Sequence, residues 1–240
     1  MQLLIYMNTG RPVTMPINYN HILQSVIYKT LSYSADVSEF VHNTGYSYGD
    51  RKYKMFQYSL LDGKYRINQK MITFSDNISF EIRSPENRFI QLLYAGFMEN
   101  GILFGREHFR DVGLELRDYT VEETEILIKM KTPVTVYSTE TESGVSYYYA
   151  PDESYFYEKI NDNFCRKYMA YCGMSPVSPI QIEPVRVSAR DKFVTKYKQS
   201  YINGWYGIYK LAGKRKYLDF LYQAGLGGKN SQGFGMFELL

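Results

Sequence analysis

Cysteine is nearly absent from this 240-residue chain, with only Cys165 and Cys172. They lie seven apart in one helical pattern, without the spacing of a metal-ligand pair or a disulfide framework. They read as free, buried thiols of a protein in a reducing cytoplasm. Histidine is also scarce. His21, His42 and His108 form no zinc pattern with cysteine, so neither a metal nor a cofactor is expected. No apolar run reaches the length of a membrane span. The opening Met1-Gln2-Leu3-Leu4-Ile5-Tyr6 has no basic segment before it and reads as a first strand, not a signal peptide. Net charge is only +3, which alone says little about partners, while 45% apolar residues suffice for a real core.

What the chain does have is a glycine-rich stretch near its end. Five of its 18 glycines fall within Gly225-Leu226-Gly227-Gly228-Lys229-Asn230-Ser231-Gln232-Gly233-Phe234-Gly235. A helical pattern (Tyr217, Phe220, Leu221, Ala224) precedes it, and a short apolar strand, Phe234–Phe237, comes after it. Phosphate loops of nucleotide-binding proteins run in the opposite order, strand, glycines, helix. The spacing fails too: a P-loop needs Gly where Gln223 stands, and a dinucleotide fingerprint needs Gly at Asn230. Glycine still lets backbone N–H groups approach an anion closely, and Lys229, Asn230 and Ser231 add donors. A flexible connection is the competing reading.

Charge is local. Between residues 186 and 219, Arg186, Arg190, Lys192, Lys196, Lys198, Lys210, Lys214, Arg215 and Lys216 face only Asp191 and Asp219. Val187, Phe193, Val194 and Tyr197 interleave with them. A basic, aromatic-laced hairpin suits a nucleic-acid backbone, and a lysine-guarded edge strand is the equal alternative. The Lys/Arg-Gly-Phe/Tyr strand signature of common RNA-recognition modules is missing.

Periodicity orders the rest. Residues 1–6 form a strand and Thr9–Pro16 a loop. A helix spans Tyr19–Ser32, with Asn18 or Asn20 as cap and Tyr28 on its polar half near His21 and Gln24. A helical turn comes next at Ala35–His42, then a polar, tyrosine-rich loop at Tyr46–Tyr53. Strands are expected at Met55–Leu61, Met71–Phe74 and Ile78–Ile82, a helix at Glu86–Met98 ending at Gly101, and strands at Ile102–Phe104 and Val112–Leu116. The order β-α-β-β-α-β then repeats. Residues 126–137 are strand-like, Glu153–Tyr171 is helical, and strands are expected at Ile180–Val187, Lys192–Lys198 and Tyr206–Leu211. Lys214–Ala224 is the last helix. Two split βαβ units in tandem account for this order.

The glycine-rich stretch, Tyr19-Asn20-His21 and Lys54-Met55-Phe56-Gln57-Tyr58-Ser59 together resemble the CRISPR-associated endoribonucleases that cut precursor CRISPR RNA within each repeat. The resemblance spans the chain. It implies an α+β fold of two tandem ferredoxin-like (RRM-like, βαββαβ) domains. Residues 1–118 would carry the catalytic groups and residues 119–240 the glycine-rich RNA-binding loop. It implies precursor CRISPR RNA as partner, with other effector-complex proteins and a second copy of the chain as open alternatives, and no membrane.

The implied reaction is metal-independent. The ribose 2′-OH attacks the adjacent phosphorus, leaving a 2′,3′-cyclic phosphate and a 5′-OH. On matching positions the resemblance assigns Tyr28 as proton acceptor, His42 as proton donor and Lys54 as stabiliser of the transition-state charge. His21 is the alternative donor and Lys52 the alternative cation. A phenol near pKa 10 needs a nearby cation, or else positions the 2′-OH, whereas an imidazole is partly protonated at neutral pH. RNA binding is assigned to Arg190, Lys192, Gly225, Gly227, Gly228, Lys229, Asn230, Ser231, Gly233 and Gly235. The competing function is a non-catalytic repeat-RNA-binding subunit of a CRISPR effector complex.

Overall fold

The computed structural model describes residues 1–32, 45–105, 107–140, 142–197 and 200–240. His42 and the helical turn expected at 35–42 lie outside the described residues.

In the first half β1 (Gln2–Met7) alternates inward Leu3, Ile5 and Met7 with outward Tyr6, the two-residue period of a half-buried strand. After it come β2 (Val13–Pro16), α1 (Asn20–Leu31), β3 (Tyr46–Tyr48), β4 (Arg51–Tyr53), β5 (Gln57–Tyr58), β6 (Tyr65–Asn68), β7 (Met71–Phe74), β8 (Ile78–Arg83), α2 (Asn87–Asn100), β9 (Ile102–Phe104), β10 (Glu107–Phe109) and β11 (Val112–Arg117). Leu23, Val26, Ile27 and Leu31 form the buried stripe of α1, and Phe89, Ile90, Leu93 and Phe97 that of α2. Both stripes belong to one apolar core with the sheet β11-β1-β8-β5.

The second half contains β12 (Glu125–Met130), β13 (Tyr137–Thr139), β14 (Ser146–Tyr148), α3 (Ser154–Cys172), β15 (Gln181–Arg186), β16 (Lys192–Tyr197), β17 (Ser200–Trp205), β18 (Ile208–Ala212), α4 (Arg215–Ala224) and β19 (Phe237–Leu239). Its main sheet runs β15-β18-β12-β19 and shares a second core with Phe156, Ile160 and Phe164 of α3 and Tyr217, Leu218 and Leu221 of α4. All neighbours in both sheets are antiparallel. Counting only the sheet strands of each half, the first runs 4-1-3-2 and the second, read from its other edge, 4-1-3-2 as well. That order defines tandem ferredoxin-like folds.

Several local expectations change. The stretch 9–16 is not all loop: β2 is an edge strand on β7, and its terminal Pro16 suits an edge, where no ladder N–H is needed. Within 55–61 only Gln57–Tyr58 pair as strand. Met55 instead adopts a positive φ of 44°, and its carbonyl accepts a 2.7 Å hydrogen bond from Ser84. Neither expected asparagine caps α1, whose N-cap residue is Tyr19 and makes no side-chain capping bond. Asn18 accepts from the Thr195 hydroxyl (2.9 Å), and Asn20 donates to the Gln232 carbonyl (3.1 Å). Both tie α1 to the second half.

The tyrosine-rich segment 46–53 is also not an open loop. β3 and β4 form a hairpin, and Gly49 in its turn takes a φ of +56°. Tyr46 packs edge-on against Tyr171 of α3, ring centroids 5.0 Å apart, and Met55 is buried in the second core. A hairpin encoded in the first half is thereby part of the packing of the second. At the end of the chain, Asn230–Gln232 form a 3-10 turn, and the last strand is Phe237–Leu239, not 234–237.

Candidate RNA-binding and catalytic site

The glycine-rich segment is a folded, largely buried loop. Leu226 N–H donates to the Gly235 carbonyl (2.8 Å), Gly228 N–H to Thr135 (2.9 Å) and Gly235 N–H to Pro133 (2.9 Å). The Asn230 amide bridges the carbonyls of Leu226 and Phe234, at 3.1 Å each. Gly235 has a φ of +80°, and a Cβ there would collide with the Leu226 carbonyl, so glycine is required. From α1, Gln24 donates to the Ser231 carbonyl (2.7 Å), beside the Asn20 bond to Gln232.

Under the loop lies Lys167 of α3, 3% exposed. Its ammonium donates to the carbonyls of Gly225 (2.6 Å) and Gly227 (3.2 Å) and to Asn230 Oδ1 (2.9 Å). Burial pulls its pKa down to about 7. Three oxygen acceptors match the three protons of the charged form and oppose that pull. Nothing in the sequence singled out Lys167. The available signal is its register: three residues after Phe164 and seven after Ile160, it puts a lysine inside the apolar stripe of α3.

A cavity of about 330 Å3 opens between the β3–β4 hairpin, α3 and this loop. Among the described residues Arg51, Lys52, Lys54, Lys167 and Lys229 line it, and no carboxylate does. Burial, with the like charge of Lys52, lowers the Lys54 pKa below that of an ordinary lysine, and burial lowers Lys229 likewise. Lys229 Nζ sits 4.4 Å from the centre of the Tyr137 ring, a cation–π contact. Such a site suits a polyanion with flat, stackable groups. Among the described residues no three His, Cys, Asp or Glu side chains gather to hold a metal.

Tyr28 is half-buried on α1, its ring edge-on to Phe56 at 6.0 Å, and Phe56 itself lines the cavity. Lys52 and Lys54 both line it. Gly45, three residues after His42 in sequence, backs onto the Tyr53 carbonyl and the Lys54 side chain. His21 Nδ1 lies 2.9 Å from the Asn18 carbonyl at the exposed start of α1 and donates to it. His108, exposed on β10, donates to the Asn100 carbonyl (2.8 Å).

Of the loop residues with an expected RNA role, Gly228, Lys229, Asn230 and Ser231 line the cavity, whereas Gly225, Gly227, Gly233 and Gly235 shape the loop beneath it. Arg190 and Lys192 lie at the base of the β16–β17 hairpin, both exposed, and neither lines the cavity. Lys192 lies over the Trp205 ring at 6.0 Å.

Two ferredoxin-like folds clasped around a cationic cleft, with an ordered glycine loop as its floor, define a class of RNA-binding protein by fold and site. Residues 115–239 match the family model described as CRISPR associated protein Cas6, C-terminal. This chain belongs to the Cas6 family. It is 28% identical over 250 residues to CRISPR-associated endoribonuclease Cas6 1 of Methanocaldococcus jannaschii, covering 98% of this chain and 91% of that protein. To CRISPR-associated endoribonuclease Cas6 of Pyrococcus furiosus it is 26% identical over 252 residues, covering 98% and 88%. A solved CRISPR associated protein Cas6 superposes with a TM-score of 0.79 at 26% identity, covering 100% of this chain and 99% of its own. A Cas6-related structure from Pyrococcus furiosus reaches a TM-score of 0.82 at 20% identity, a likeness of fold.

Proposed function

We propose that this chain is a metal-independent endoribonuclease that cuts CRISPR repeat RNA to release guide RNA. The observation that carries the reading is the cleft itself: among the described residues five Lys and Arg side chains line it, Lys54 among them, and no carboxylate does, with Tyr28 packed on Phe56 at its side and the glycine loop as its floor. The curated relatives' names as endoribonucleases point the same way.

The 2′-OH attacks the adjacent phosphorus, its proton passing to Tyr28. The 5′-oxygen leaves with a proton from His42, giving a 2′,3′-cyclic phosphate and a 5′-OH. Lys54 offsets the charge that develops on the phosphoryl oxygens, an interaction that strengthens toward the transition state. Lys229 and Ser231 at the loop surface, with Arg51 and Lys52 on the hairpin, hold the flanking backbone. Arg190 and Lys192 contact RNA farther along its path. Gly225, Gly227, Gly233 and Gly235 serve binding by fixing the loop's shape.

Cognate repeat RNA incubated with the protein in EDTA should be cut to a cyclic-phosphate end. A 2′-deoxy substitution at the scissile nucleotide should stop cutting and spare binding. Tight binding without cutting of the all-ribose RNA would instead identify a non-catalytic subunit.

A further inference from the structure

Among the described residues three that are not glycine have a positive φ: Met55 (44°), Gln69 (54°) and Lys229 (57°). Gln69 is exposed at the tip of the β6–β7 hairpin, where a two-residue turn accounts for it. Lys229 opens the 3-10 turn of the glycine loop. Met55 has no turn or helix cap to account for its backbone. It stands where the chain leaves β4, whose Tyr53 packs on the second core, and enters β5 in the sheet of the first half. A strained backbone angle next to a functional side chain points to a role in placing it.

In an extended strand Lys54 and Phe56 would share one face and Met55 would take the other. Here three successive side chains go three ways. Lys54 lines the cleft, Met55 is buried in the second core and Phe56 in the first. Ser84 holds the kink between them. Its buried hydroxyl donates to the Met55 carbonyl (2.7 Å) and accepts from the Glu86 N–H (3.0 Å). The Tyr171 hydroxyl donates to the Pro85 carbonyl of the same corner (2.9 Å), and the Tyr46 hydroxyl to Glu86 Oε2 (2.8 Å). Residues 46–55 are thus tied at both ends to one corner of the first half, with Lys54 carried between the ties.

Resting on the RNA-cleaving reading above, we propose that the kink at Met55, clamped by Ser84, fixes Lys54 in the cleft at the reach the scissile phosphate requires. Met55 and Ser84 are positioning residues and act through Lys54. A lysine ammonium rides on a long flexible stem. Anchoring its Cα between two cores and a hydroxyl removes the backbone's share of that freedom. Methionine, unbranched at Cβ, accepts a positive φ more readily than a β-branched residue does.

The test uses the whole protein and its repeat RNA. Met55→Leu and Met55→Ile bury isomeric side chains, and only isoleucine is branched at Cβ. Met55→Ile should slow single-turnover cutting by about tenfold to a hundredfold, the cost of a small misplacement, with RNA affinity within about twofold. Met55→Leu should recover most of that rate. Equal losses in the two variants mean packing alone and overturn the proposal. Ser84→Ala should slow cutting by about tenfold in the wild type and no further in Lys54→Ala. A wild-type rate in Ser84→Ala, or the same loss without Lys54, overturns it as well. The titration of Lys54, followed by NMR of labelled lysine, reads its placement without RNA. Burial and the like charge of Lys52 hold its pKa below that of an ordinary lysine; Arg51, Lys167 and Lys229 are the other cations lining the cleft, and Tyr53 and Tyr137 its phenols. Met55→Ile and Ser84→Ala should each raise that pKa toward the ordinary value as the ammonium leaves the cleft, and an unmoved titration overturns the proposal. If the protein binds repeat RNA and does not cut it, the cleavage reading fails, and the titration decides the placement by itself.

Discussion

Lys131 Nζ donates a 2.7 Å hydrogen bond to Glu81 Oε2, joining the second half of the chain to a carboxylate on β8 of the first. The other oxygen of Glu81 pairs with Arg83. Arg83 in turn donates to the Phe237 carbonyl (2.8 Å) and stacks 3.9 Å over the Tyr222 ring. Glu81 and Arg83 are almost wholly buried, and Lys131 is one-third exposed.

Glu81→Gln should therefore destabilise the protein severely. It leaves the Arg83 guanidinium buried without its counter-charge, a change that costs about 3–5 kcal/mol. For a chain of this length the thermal midpoint should fall by roughly 6–20 °C. Lys131→Met, at the wetter end, should cost less. pH supplies a second signature. Burial pushes the Glu81 carboxyl up, but Arg83 and Lys131 outweigh burial and leave it below the ordinary carboxylate range. A carboxyl with a depressed folded pKa stabilises above its unfolded pKa, near 4.3, and loses that contribution as pH falls through the folded value. Urea unfolding measured from pH 7 to pH 3 should show this acid limb in the wild type and a shallower one in Glu81→Gln.

Lys54→Ala should lower the single-turnover cleavage rate by about 10²–10³, as removal of one transition-state donor does elsewhere, with affinity for RNA changing far less. The depressed pKa of Lys54 sets a direction. The cation is lost as pH rises, so cleavage should fall on the alkaline side earlier than an ordinary lysine would dictate. Lys54→Arg, which stays charged, should push that fall to higher pH. A wild-type rate in Lys54→Ala, with Lys52→Ala inactive, would transfer the role to Lys52.

Lys167→Met should separate the loop from the chemistry. The variant removes a donor from three buried oxygens, at about 1–3 kcal/mol for each one left unmatched. Amide hydrogen exchange in residues 225–235 should rise and RNA affinity should drop. The cut made at saturating protein should stay at the same phosphodiester bond.

Gly235→Ala offers a check on the same loop from its other end. The added methyl meets the Leu226 carbonyl at a backbone φ of +80°, where L-residues are rare. A loss of about 2 kcal/mol or more in urea unfolding is expected, since strain at φ and a backbone collision add. Gly144 has a positive φ with open space around its Cα, and Gly144→Ala should cost only the conformational part.

Much of this architecture was legible because it is local. The apolar stripes of α1, α2, α3 and α4 obey the helical period, and their alternation with β1, β8, β12 and β18 gives the repeated element order. What escaped was set by contacts between residues far apart in sequence. Asn18 and Asn20 look like helix caps until Thr195 and Gln232 claim their side chains. Pro12 and Pro16 mask β2, whose strand identity depends on β7. The glycine stretch reads as an open anion loop, and the ammonium that stiffens it sits 58 residues earlier on α3. Tyr28 and Lys54 have no local pattern to mark them as isolated residues, and their proposed roles rest on the family resemblance.

The β3–β4 hairpin bears on how the chain can be divided. Tyr46, Tyr53 and Met55 precede the midpoint of the sequence yet pack into the core of the C-terminal half. A fragment ending near residue 118 would carry these apolar side chains without the surface that receives them, and the complementary fragment would open its core where they belong. Chimeras between relatives should thus exchange residues 46–55 together with the C-terminal half. In recombination terms, the inheritable unit is the C-terminal half plus its borrowed hairpin.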